Sequence, residues 1–246
     1  MTPTRSAGAA APPRWGFGDF LLVWIAALVV AVIAQSIALS MLGVSNPKHI
    51  PRPDEITATI VTLYAQGLAL AGGVALVGRW RGSGRSLRSE FGLVVRLRDT
   101  PWILVGVGIS VASGLLIVPL TNLSDKKIEQ HVVTIFRGAS GTQLVLFAIA
   151  VGIVAPIAEE LVFRGLLLRT LLRRVSAVPA VVIAAAVFSF AHLIDPSAYI
   201  ALFPLMLLSI ISGVVAVRSF ELSKSIFLHI GFNLITVILI AGKFST

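Results

Sequence analysis

The chain has no cysteine, which excludes disulfide staples and thiolate chemistry. It is also poor in charge. Only 13% of its 246 residues are Asp, Glu, Lys or Arg, against roughly 25% in a soluble domain. It lacks a strong period-two strand pattern, a clear internal repeat, and the HExxH spacing of zinc proteases. What remains is apolar: 57% hydrophobic residues and a mean hydropathy of +0.95. This is the composition of a polytopic membrane protein, in which apolar side chains form the outer surface as well as the core. The bilayer is its first expected partner. A net charge of +9 would suit a nucleic-acid binder, but in a membrane chain Lys and Arg act first as topology signals. No nucleic-acid partner is expected.

A helix needs about 20 apolar residues to cross a bilayer. Seven candidates occur, at 18–44, 57–79, 101–122, 142–162, 177–194, 197–217 and 223–242. The fourth should continue as a helix to about 174, because LLLRTLLRR has good helix formers and no breaker. The expected fold is an all-α membrane helix bundle of about seven transmembrane helices. Residues 1–16 read as a disordered tail, 17–140 as a three-span portion, and 141–246 as a four-span portion. Segment 80–100 is basic with apolar insertions and reads as a cytoplasmic loop with an interfacial stretch. Segment 123–141 reads as a polar outer loop. With the N-terminus inside, fourteen Lys and Arg fall on the cytoplasmic side and six on the other. That asymmetry predicts a cytoplasmic N-terminus. A short chain with so pronounced a bias suits a bacterial plasma membrane.

Three polar clusters interrupt the most apolar part of the chain: Glu159, Glu160 and Arg164; His192; and His229 with Asn233. Ionisable groups at membrane depth are costly and usually mark function. Glu160 and Arg164 are i and i+4 on a helix, with the acid N-terminal to the base, a favourable ion-pair spacing. Glu159 is rotated away by about 100°, and its own i+4 neighbour is Phe163. Glu160 is therefore the structural acid and Glu159 the candidate general base for water. Pro156, one turn earlier, should loosen the backbone. His192 shares a face with Phe188. It can serve an oxyanion or a metal, or simply bond a backbone carbonyl at a helix end, where Asp195 would cap the next helix. His229 and Asn233 share a face of the last span. They can serve a site or an interhelical hydrogen bond. His49 and His131 are loop residues with no assigned role.

Taken in order, EELVFR at 159–164, FSFAH at 188–192 and HIGFN at 229–233 resemble the CPBP family. These are the Abi or type II CAAX prenyl endopeptidase-like intramembrane proteases, with the pattern EExxxR, FxxxH, HxxxN/D. Every motif residue is matched, and the resemblance covers roughly 141–246. It implies a helical intramembrane endopeptidase. Glu159 would activate water, and His192 would bind water or the oxyanion. His229 and Asn233 would complete that environment, with Glu160 and Arg164 in support. CAAX-type or other membrane-associated peptides and membrane proteins would be its substrates. The family supports both a metal-free glutamate mechanism and a metalloprotease reading. No cofactor is favoured. If a divalent metal such as zinc is bound, Glu159, His192 and His229 are its candidate ligands. Two other classes keep the same residues: a non-enzymatic scaffold or sensor with a structural polar network, and a proton- or metal-coupled transporter. No pair of broken helices in related positions favours the transporter. Helix counting raises one conflict: it places His192 deeper in the membrane than Glu159 or His229.

Overall fold

The computed structural model describes residues 13–46, 49–83, 86–122, 136, 139–194 and 196–242. Most of the expected tail and outer loop, together with His131 and Asp195, lies outside the described residues. Among the described residues there are helices and no strand. They are α1 (Phe17–Met41), α2 (Arg52–Arg81), α3 (Leu87–Phe91), α4 (Trp102–Asn122), α5 (Gly141–Leu172), α6 (Ala177–Ala191), α7 (Leu202–Ser219) and α8 (Ser223–Gly242). Six helical stretches are long and apolar enough to cross a membrane. The apolar part of α8, Ser223–Leu239, is a shorter seventh. The chain is an all-helical integral membrane protein, as its composition predicts.

Local chemistry explains the boundaries. The Asp19 carboxylate accepts the Gly16 N–H at the start of α1, and Asp54 and Glu55 open α2 while Arg79 and Arg81 close it, each complementing the helix dipole. Ser140 and Gln143 form a reciprocal capping box at the start of α5. The outward faces stay apolar: Leu22, Ile25, Val29 and Val32 of α1 are all exposed. Backbone groups bonded within each helix make such a surface compatible with lipid.

The central helix is α5, which touches α1, α2, α3, α6, α7 and α8. Leu161–Leu168 are all buried. Two stretches of it, Ala150–Val154 and Leu161–Leu168, are π-helical. Helices α4 and α8 meet backbone to backbone at Gly106 and Gly231. A Cβ on Gly106 would lie 1.9 Å from the Leu228 carbonyl oxygen, and one on Gly231 would lie 2.0 Å from that of Ile103. Small residues permit such approach in membranes. Gly231→Leu is therefore expected to destabilise the fold by at least about 3 kcal/mol. Gly108→Leu, which meets open space, should unfold with the wild-type midpoint in the same detergent titration.

Segment 80–100 carries both buried and exposed apolar residues, with Phe91 at 0% and Leu97 at 81% exposure. It is a strap across the arginine-rich end of the bundle. Phe91 is fully buried, lying against Gly165 and 5.2 Å, centroid to centroid, from Trp15. The indole N–H of Trp15 donates to Glu90 at 2.6 Å. Arg173 stacks over Trp15 at 3.9 Å. Residues 13–16, at the end of the tail predicted to be disordered, are thus anchored. Of the apolar insertions in this basic segment Phe91 is a core anchor, while Val95 and Leu97 stay exposed, a division that composition alone does not make. At its end the strap turns at Gly92, whose φ of +74° suits a residue without Cβ. The Gly92 carbonyl accepts from Leu222, the Arg96 N–H donates to Ser223 Oγ at 2.8 Å, and the Arg96 side chain pairs with Glu221. These contacts fix the start of α8.

Candidate active site

Glu160 and Arg164 form the ion pair their spacing predicts, with Arg164 Nη1 2.9 Å from Glu160 Oε1. Both are buried, at 0% and 2% exposure. Two such charges are tolerable in an apolar interior only together. The same carboxylate oxygen faces Nδ1 of His229 at 3.1 Å. A carboxylate already neutralised by Arg164 acts as an acceptor, so Nδ1 carries the proton and donates. This leaves Nε2 of His229 facing the other acid, with Glu159 Oε2 3.6 Å away. Glu159 retains 22% side-chain exposure. Adjacent acids thus occupy different environments, one sealed between Arg164 and His229 and the other accessible beside the free edge of His229. A small cavity beside this pair is lined by Arg164, Leu168, Arg169, Ala216, Phe220 and Leu222.

Phe188 of α6 joins the clusters. Its ring lies 5.0 Å from Phe163 and 5.7 Å from His229, both edge to face, and 4.9 Å from His192. The Arg164 guanidinium lies 4.7 Å over the same ring. His192 ends α6, and its Nδ1 lies 2.9 Å from the Phe188 carbonyl oxygen. A carbonyl only accepts, so Nδ1 donates there and neutral His192 presents Nε2 as a lone pair. In that tautomer His192 receives a hydrogen bond from water and does not donate to an oxyanion.

The depth conflict disappears when the helices are measured from one end. Helix α5 continues from Glu159 to Leu172, ~20 Å away, and His192 lies ~22 Å from Ala177 at the start of α6. A count that ends the span at 162 places Glu159 too near the surface. The start of helix α8 is tied to α5 where Arg169 donates to the Phe220 carbonyl at 2.7 Å. His229 is nine positions after Phe220, and Arg169 is nine positions after Glu160. The two rungs therefore meet.

Asn233 lies one turn beyond His229. Its Nδ2 donates to the Val151 carbonyl of α5 at 2.9 Å, leaving the second amide hydrogen and Oδ1 for other partners. The structure thus brings Glu159, Glu160, Arg164 and His229 into one contact network and ties His192 to it through Phe188. Asn233 is anchored to an adjoining turn of α5. The contact of His229 with Glu160 is not visible in the motifs. Its only sequence signal is the excess of acid over base in EELVFR.

The possible metal set fits poorly. Glu159 and His229 face one another, but among the described residues no three His, Asp or Glu side chains converge as a metal site. Nδ1 of His192 donates to a backbone carbonyl, which leaves only its Nε2 as a possible ligand.

These features define a class first: a helical membrane protein with a buried acid–histidine cluster. Residues 141–235 match the family described as Rce1-like, type II CAAX prenyl endopeptidase Rce1-like. The match covers the segment that holds all three motifs, and the resemblance they carry is borne out. Neither a curated protein nor a solved structure matches the chain.

Proposed function

We propose that the protein is an intramembrane endopeptidase in which Glu159 activates water, acting on CAAX-type or other membrane-associated peptides. The observation that carries this reading is the pairing of an accessible Glu159 with His229, itself held by buried Glu160. The Glu159 carboxylate takes one proton from water as the oxygen attacks the peptide carbonyl. His192 Nε2 accepts from the other water hydrogen and orients the lone pair. The free N–H of Asn233 stabilises the developing oxyanion. The C–N bond then breaks, and Glu159 returns its proton to the leaving amine. With its proton on Nδ1, His229 presents Nε2 as an acceptor that steadies Glu159 while that carboxyl carries the proton. Nothing in the sequence requires a metal for these steps, and the proposed mechanism is metal-free. In the same reading the N-terminus is cytoplasmic, the membrane is a bacterial plasma membrane, and the four C-terminal spans form the catalytic core.

The test is direct. The full chain in detergent micelles is given lipidated peptides, with and without a prenyl group, and the products are identified by mass spectrometry. Endoproteolytic cleavage is expected, and it should survive exhaustive chelation. No cleavage of any such peptide would overturn the protease reading. Cleavage lost on chelation and restored by zinc would overturn the metal-free mechanism alone.

A further inference from the structure

The first π-helical stretch of α5 holds a device that the three motifs do not include. In a π-helix each N–H donates to the carbonyl five residues earlier, and the Ala155 N–H reaches the Ala150 carbonyl in this way. The next donor in the series would be residue 156, and its acceptor would be the Val151 carbonyl. Residue 156 is proline, which has no N–H to give. The Val151 carbonyl instead accepts from Asn233 Nδ2, on α8, at 2.9 Å.

We propose that Pro156 is a positioning residue: by withholding an N–H it hands the Val151 carbonyl to Asn233 and so fixes the aim of that amide. The proposal rests on the reading of Asn233 as part of the site. A primary amide is planar, so fixing one N–H also fixes the direction of the second N–H and of Oδ1. Were residue 156 to carry an N–H, it would compete for the same carbonyl, and the side chain would lose its anchor. In an apolar surrounding a carbonyl and an amide each have few alternatives, which strengthens the exchange. Pro156 is three residues before Glu159. The π register therefore sets the angle between the anchor of Asn233 and the reactive acid on a single helix. A proline that only kinked α5 would show no dependence on Asn233.

That dependence is measurable in a double-mutant cycle of the full chain in micelles. Pro156→Ala restores the N–H. Asn233→Ala removes the side chain, and Asn233→Leu removes the donor while keeping the volume. In the wild-type background both Asn233 variants should lower Tm, by on the order of 3 °C for each kcal/mol lost. In the Pro156→Ala background the loss should be at most half as large, because the backbone now satisfies the carbonyl. Pro156→Ala alone should keep the wild-type Tm or raise it. It should also lower kcat at least about tenfold with KM little changed, the signature of a misaimed group. If Pro156→Ala does not fold, Pro156→Ser supplies the same N–H. Equal Tm losses in both backgrounds overturn the proposal, as does an unchanged kcat in the Pro156 variants. A wild type that cleaves nothing ends the protease reading, and the Tm cycle then decides by itself whether Pro156 places Asn233.

Discussion

Glu159→Gln is expected to reduce cleavage by about 10²–10⁴-fold, the range that a general base contributes. Its unfolding midpoint should stay at that of the wild type. The substitution keeps the shape of the side chain and removes only its ability to take a proton. The stability expectation follows from the surroundings. Glu159 is part-exposed, and its contact with His229 is 3.6 Å, longer than a hydrogen bond. Little folding energy rests on it. Single-turnover cleavage together with thermal unfolding in the same micelles measures both quantities. A Glu159→Gln variant that cleaves at the wild-type rate would mean that another group takes the proton. His229, whose Nε2 lies next in line, would be the first to examine. A variant with both lower activity and a markedly lower midpoint would show that Glu159 is part of the frame.

Contacts within one helix are legible in the sequence, and contacts between helices mostly are not. Glu160 with Arg164, and Phe188 with His192, follow from i, i+4 geometry alone, and each is found. The spans are legible for the same local reason: about 20 apolar residues have few other uses. The meeting of His229 with Glu160 depends on how deep α8 begins. That start is tied down by Arg169 on the Phe220 carbonyl and by the Gly92 carbonyl on Leu222. No local pattern encodes such an offset. The partner of Asn233 depends on a π register, which helix propensity does not register and which Pro156 signals only once its acceptor is known. Trp15 and Phe91 escape a sequence reading because an apolar residue in a basic segment looks the same whether lipid or protein covers it.

Removing the sealed acid should have a different consequence. Glu160→Gln is expected to destabilise the protein by about 3–5 kcal/mol, the cost of leaving a buried charge without its partner. Arg164 is the charge in question, at 2% exposure and with an aromatic ring as its other close neighbour. Replacing both members, as Glu160→Gln with Arg164→Leu, removes the stranded charge. Most of the lost stability should return, because a well-packed apolar residue commonly matches a buried ion pair. Cleavage should not return. In both proteins His229 has lost the anionic acceptor that holds the proton on Nδ1 and turns Nε2 toward Glu159, and an imidazole in the wrong tautomer can cost about 10⁴-fold in a comparable hydrolytic arrangement. Denaturant unfolding and cleavage rates of the three proteins separate the two roles of Glu160. Recovery of cleavage in step with stability would reduce Glu160 to a counter-ion for Arg164. Recovery of stability alone would establish it as the residue that orients His229.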